Sequence, residues 1–179
     1  MSPPLAYLIT FTCYAQWLHG DRRGSVDRRQ NGVDEEFLPR NDLQEEREHL
    51  NKDYTPYRLD EPRRIRVLAA IRETCGYRGW RLWALHVRAT HVHVVVTGLA
   101  TPEKIMTDLK AYASRALNRS GLDHIACKHW SRHGSTRYIN APKHLDAAIE
   151  YVLFKQGFPM AVFDGRNGVD GTNEASPTR

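Results

Sequence analysis

The sequence predicts an α+β domain, built as an antiparallel sheet with helices packed on one face. Three observations lead there. Short β-branched stretches alternate apolar and polar residues with period two. Between them, apolar residues recur at helical spacing. The order along the chain is strand, helix, strand, strand, helix, strand, helix. The 179 residues suit one domain large enough to bury a core. A 41% hydrophobic and 26% charged composition fits a globular protein.

Residues 5–13 form the first expected strand, with Tyr7, Ile9 and Phe11 on one face and Leu8, Thr10 and Thr12 on the other. Residues 14–61 are polar and turn-rich, a long insertion of the kind that is functional or disordered. Asp60 and Pro62 then read as an N-cap and a first-turn proline. The helix behind them carries Ile65, Leu68, Ala69, Ile71 and Cys75 inward and ends at Gly76 and Gly79. A second strand, 81–89, sets Leu82, Ala84, His86 and Arg88 against Trp83, Leu85 and Val87. After the tight Ala89-Thr90 connection, residues 91–97 make the third strand and the simplest pairing is a hairpin. Thr101 and Pro102 open a second helix through Asn118, with Ile105, Leu109, Tyr112, Ala113, Ala116 and Leu117 inward. Residues 130–139 supply a fourth strand, with a break expected at Gly134. Pro142 opens a third helix whose stripe is Leu145, Ala148, Ile149 and Val152, stopped by Gly157-Phe158-Pro159. This β-α-β-β-α-β order is the ferredoxin-like split βαβ arrangement with an extra C-terminal helix. Residues 1–163 are read as the domain and 164–179 as a frayed tail.

Composition narrows the function classes. No apolar run approaches the ~20 residues of a membrane span. Met1-Ser2-Pro3-Pro4 lacks a basic leader, so no signal peptide is expected. Cys13, Cys75 and Cys127 form no CxxC pair, which suits buried thiols in a reducing cytoplasm. The net charge of +5 is unevenly spread. Residues 62–139 hold 14 Lys and Arg against 4 acids, the electrostatic footprint of a polyanion binder.

The chemistry centres on Thr90-His91-Val92-His93-Val94-Val95-Val96. On a strand, His91 and His93 project from the same face. Two imidazoles on a rigid element are half of a metal site, although His-x-His alone is a weak signal. Tyr151 lies beside the apolar stripe of the third helix, where it could turn its hydroxyl toward the sheet. By itself it would read as a packing tyrosine.

A strand bearing His-x-His, a helical tyrosine about 60 residues later and a basic ferredoxin-like frame together resemble the HUH single-strand endonucleases. More closely, the combination resembles the one-tyrosine transposases of the insertion-sequence type and their domesticated relatives, the REP-associated tyrosine transposases. The resemblance spans residues 5–163 and is carried by Thr90-His91-Val92-His93-Val94-Val95 and by Glu150-Tyr151-Val152-Leu153-Phe154-Lys155-Gln156. The stretch Trp17-Leu18-His19-Gly20-Asp21-Arg22-Arg23-Gly24-Ser25-Val26-Asp27-Arg28 looks like a subset of that superfamily. The resemblance implies a metal-dependent nuclease and strand transferase of a prokaryotic cytoplasm, acting as monomer or homodimer on single-stranded or hairpin DNA. Tyr151 would form a covalent 5′-phosphotyrosine, and His91, His93 and Gln156 would hold Mg²⁺ or Mn²⁺. No general base is evident.

Three departures stand out. Thr90 replaces an Asn common in relatives, a change expected to affect mainly the turn. Relatives carry their third ligand four residues after the tyrosine, where this chain has Lys155. Gln156, one residue later, would point roughly 140° away from Tyr151 on an ideal helix. Either the helix end departs from ideal geometry near Gly157, or His86 or a water completes the site. The third departure is the long 14–61 insertion.

Lys110, Arg115, Arg119, Arg132 and Arg137, with His133, are the candidate DNA contacts. Trp17, Trp80, Trp83 and Trp130 are candidate base-stacking residues, and the 20–28 loop a candidate reader of hairpin or flanking sequence. Two other readings compete. One is a nucleic-acid-binding relative that no longer cuts, although the third strand offers His and Val rather than the aromatics of an RNA-binding sheet. The other is a zinc enzyme using His91, His93 and another histidine such as His86.

Overall fold

A computed structural model of the chain describes residues 3–16, 56–123 and 127–166. Trp17, the 20–28 loop, most of the 14–61 insertion and residues 167–179 lie outside the described residues. The elements are β1 (Ala6–Cys13), α1 (Glu61–Arg78), β2 (Arg81–Val87), β3 (His91–Thr97), α2 (Pro102–Arg119), β4 (Trp130–Ile139), α3 (Pro142–Phe154) and β5 (Ala161–Asp164). The five strands form one sheet in the order β4-β1-β3-β2-β5, antiparallel throughout. The first four occupy the positions expected of the ferredoxin-like arrangement.

Local chemistry accounts for the helix boundaries. Asp60 caps α1 by accepting from the Arg63 amide at 3.1 Å, with Pro62 just inside. The helix runs through Gly76 and stops at Gly79, whose φ of 67° is the left-handed cap that glycine adopts most cheaply. Its buried stripe is Val67, Ala70, Ile71, Thr74 and Cys75. Ile65, expected inward, is exposed, so the stripe is rotated from the predicted one. Thr101 caps α2 through the Lys104 amide.

Two expectations are corrected. The helices do not share one face. Val92, Val94 and Val96 of β3 pack with Ile71 of α1 and Leu109 of α2. Val95 packs with Ile149 and Val152 of α3, so α3 lies on the opposite face. Burying Ile149 and Val152 contributes about 1.5–3 kcal/mol each to that docking. Beyond α3 the chain adds β5, which pairs with β2 and was not expected from sequence. The chain is still paired at Asp164, and Gly165 donates to the Trp83 carbonyl at 2.9 Å, inside the segment read as a tail.

Strand β2 departs from simple alternation. Leu82 pairs with Val96 and Ala84 with Val95, leaving Trp83 as an extra residue. Such a bulge shifts the facing of everything before it by one residue. Leu82 therefore joins Leu85 and Val87 in the α1/α2 core, while Trp83 packs on the α3 side.

Strand β4 is not broken at Gly134. A Cβ there would lie 2.5 Å from Met106 Sδ and 2.6 Å from the Thr10 carbonyl oxygen, so the missing side chain lets the strand pass. The irregularity appears instead as a register shift opposite Phe11 and Cys13. Gly134→Ala is expected to lower stability by about 1–3 kcal/mol through overpacking, read as a reduced urea midpoint at unchanged slope. An unchanged midpoint would show that Met106 moves aside without cost.

Candidate active site

The site lies on the α3 face of the sheet, near the beginning of β3. His91 and His93 share that face, their ring centroids 4.8 Å apart. Both use Nδ1 on a threonine. His93 Nδ1 is 2.7 Å from Thr10 Oγ1 on the paired strand, and His91 Nδ1 is 3.0 Å from Thr90 Oγ1. When Nδ1–H donates to a hydroxyl, the Nε2 lone pair is left for another partner. His93 Nε2 is buried and has no hydrogen-bond partner. Thr90 thus touches the first histidine directly, beyond the turn effect expected of it.

Tyr151 stands on the last turn of α3, 41% exposed, with its ring centroid 5.7 Å from that of His93. The helix ends at Phe154, before Gln156, so the ideal-helix angle between Tyr151 and Gln156 does not apply. Gln156 Nε2 donates to the Tyr151 carbonyl at 3.3 Å. The side-chain amide also lies beside His93 and favours its protonated form, without a well-formed hydrogen bond to Nε2.

His86 is fully buried and has a different task. Its Nδ1 lies 3.0 Å from the Val152 carbonyl, which can only accept, so Nδ1–H donates. Its Nε2 accepts from the Met160 amide at 3.2 Å. Both ring nitrogens are engaged, which removes His86 as a metal ligand and as the third histidine of a zinc site. The ring satisfies one of the carbonyls that a helix C-terminus leaves open.

Burial pulls all three histidines below the usual imidazole range. His91 falls to about 4, through desolvation and then the positive charge of Arg88 and the nearby His86. His93 falls to about 3, through desolvation, then His91 and His86. His86 is lowered by burial, against the Val152 hydrogen bond. The rings are therefore neutral at pH 7, the form in which imidazole binds a metal.

Arg88, at the end of β2, is a site residue that sequence reasoning missed. Its Nη1 donates to the Phe158 carbonyl at 3.1 Å, tying the segment after α3 to the hairpin, and its charge reaches both histidines. The signal was its position two residues after His86 on the same expected face.

The candidate DNA contacts are not gathered here. Lys110, Arg115 and Arg119 lie on α2, across the sheet. Lys110 Nζ donates to the Ser131 and His133 carbonyls at 2.9 and 3.0 Å, so it clamps α2 to β4. Arg115 lies over the Tyr112 ring at 4.8 Å. Arg132 and Arg137 are exposed on β4, at the sheet edge. Arg137 pairs with Leu8 and so shares the histidine face. Trp83 and Trp130 donate their indole N–H groups to Thr97 and to the Lys110 carbonyl, and Trp80 packs over Gly98. These three are packing residues.

The chain is similar to two solved transposase structures. One is the REP-associated tyrosine transposase bound to a REP hairpin, at 13% identity and a TM-score of 0.46, over 87% of this chain and 67% of that one. The other is a Deinococcus radiodurans R1 protein assigned as a transposase, at 13% identity and a TM-score of 0.43, over 82% of this chain and 88% of that one. No family model and no curated protein matches the chain. Among the described residues no helix is long and apolar enough to cross a membrane. A further group of side chains that could hold a metal ion, Asp123, Cys127 and His129, lies before β4.

The histidines make stability pH-dependent. Unfolded imidazoles titrate near 6.5, and the folded values are lower, so the unfolded chain binds more protons between the two. The histidine contribution to stability is complete above about pH 6.5 and is lost as pH falls through about 4 for His91 and about 3 for His93. The urea midpoint should drop between pH 7 and pH 4.5, and His93→Gln should flatten that drop. An equal drop in the variant would place the sensitivity elsewhere.

Proposed function

We propose that the protein is a metal-dependent single-stranded DNA endonuclease and strand transferase whose nucleophile is Tyr151. The observation that carries this reading is the buried, unpartnered Nε2 of His93 beside His91, Gln156 and the exposed Tyr151 ring. An orphaned imidazole nitrogen in a polar cluster fits a metal, since leaving it unpaired costs about 1–3 kcal/mol. His91 and His93 would hold the ion through Nε2, and Gln156 through its amide oxygen. Two imidazoles with an amide suit Mn²⁺ at least as well as Mg²⁺, which prefers all-oxygen surroundings. When bound, such an ion supplies charge stabilisation to a scissile phosphate.

The protein's own groups do the rest. The Tyr151 hydroxyl gives up its proton and its oxygen bonds to phosphorus, while the bond from phosphorus to the 3′ oxygen breaks. That 3′ oxygen takes up a proton and leaves as a hydroxyl, and the 5′ phosphate stays on Tyr151. The phosphodiester energy is conserved, so another 3′-hydroxyl can reverse the step and join strands. A neutral phenol is a weak nucleophile. Holding the phosphate in line, close to the ring, offsets that weakness. Arg88 has guanidinium N–H groups beyond the one given to Phe158, and they can hold a phosphate oxygen next to the histidines. Arg137, on the same face, can guide the incoming strand.

Hairpin-bearing single strands incubated with protein and Mn²⁺ should yield a denaturant-stable protein–DNA adduct. Tyr151→Phe should abolish it, and His93→Ala should slow it by about a hundredfold or more. An adduct that survives Tyr151→Phe would overturn the assignment. Intact DNA binding with no adduct would favour the non-cutting relative. Thr10→Val removes the Nδ1 partner of His93 and should weaken Mn²⁺ binding about 10–100-fold, read by electron paramagnetic resonance of free Mn²⁺.

A further inference from the structure

We propose that Asp123, Cys127 and His129 form a second metal site, suited to zinc, that fastens the start of β4 to α1. It is separate from the histidine pair and does not depend on the function proposed above. One ligand atom from each residue lies within 4.8 Å of the other two. The donors are a carboxylate, a thiol and an imidazole. Magnesium does not use a sulfur donor, whereas zinc commonly takes sulfur and nitrogen together with a carboxylate.

The independent observation is His129. It is 4% exposed, and its Nε2 has no hydrogen-bond partner. Its Nδ1 is 3.2 Å from Ser114 Oγ, so Nδ1–H can donate there and leave an Nε2 lone pair. That nitrogen stands 3.4 Å from Asp123 Oδ2, too far and too poorly aligned for a sound hydrogen bond. In that tautomer the Nε2 lone pair faces the Asp123 carboxylate in a buried place, an arrangement that a cation between them would satisfy.

Asp123 retains capacity for that role. Its Oδ1 accepts from Arg63 Nε at 3.1 Å, and its Oδ2 accepts from the Tyr57 hydroxyl at 2.5 Å. A carboxylate offers about four lone-pair positions, so Oδ2 keeps one for a metal. Arg63 and Tyr57 would then orient a ligating carboxylate, as outer hydrogen bonds commonly do. Arg63 sits on α1 and reaches the Leu122 carbonyl as well, so the metal would join α1 to the β4 entry. Arg63 also defines the rival account, in which its charge alone neutralises Asp123 and the cluster is a complete polar network.

The test uses the full chain carrying His91→Ala and His93→Ala, so that the histidine pair binds nothing. After chelation and dialysis, Co²⁺ is titrated in. The expected result is one equivalent bound with a near-ultraviolet thiolate-to-cobalt absorption, displaced by Zn²⁺ and lost in Cys127→Ser. No such band, or a band that survives Cys127→Ser, overturns the site. If Cys127→Ser fails to fold, alkylation of the unsubstituted Cys127 replaces it as the readout. Cys13 and Cys75 are buried, so the partly exposed Cys127 reacts first. Zn²⁺ should slow that reaction about tenfold or more, because a metal-bound thiolate is a poor nucleophile; an unchanged rate overturns the proposal.

Discussion

The arrangement of the candidate site depends on one buried side chain, His86. It donates to the Val152 carbonyl of α3 and accepts from the Met160 amide just before β5. Both partners have fixed roles, so they set the imidazole in one neutral tautomer. The ring therefore joins three elements: the strand it stands on, the last turn of α3 and the chain entering β5. Tyr151 is one residue from Val152. Its position beside His93 follows from where His86 holds the helix end. A histidine first considered as a metal ligand proves to position the nucleophile candidate instead.

The two faces of the sheet divide the work. The α1/α2 face is a continuous apolar core through Phe11, Val94, Ile105 and Leu109. The α3 face has a smaller apolar cluster around Ala84, Val95 and Ile149, then polar side chains toward the start of β3. A 13-residue helix cannot cover the whole sheet, so Thr10, His91 and His93 lie past the apolar part of its contact. In this region burial and polarity coincide, as they also do around His129 among the described residues. Burial holds the imidazoles neutral, and the threonines occupy Nδ1. Cys13 and Cys75 stand in the other environment, where burial raises their thiols to about 12 and leaves them unreactive.

The positive charge that first suggested a polyanion partner serves several purposes. Lys110 holds α2 to β4, and Arg63 holds Asp123. Arg72 lies 4.4 Å over the Phe163 ring of β5. Arg88 fastens the segment after α3. Much of the basic content thus maintains the fold. Arg137, on the edge strand, shares the face of the histidines and joins Arg88 on that side.

By itself the sequence determined the order of the first seven elements, the caps at Asp60 and Thr101, and the shared face of His91 and His93. Each is a local property, set by alternation, helical spacing or a side chain reaching its own backbone. It also marked Tyr151 and Gln156 as candidates, through a resemblance rather than through geometry. The tertiary structure decided which face α3 covers, the addition of β5, the bulge at Trp83 and the real buried stripe of α1. It decided too that Thr10 faces His93, that His86 is occupied and that Arg88 lies beside the histidines. These are contacts between residues far apart in the chain. Nothing in a local pattern specifies strand register or the side on which a helix returns. Those are chosen by the packing of the whole sheet, where a single extra residue in β2 is enough to move a side chain to the other face.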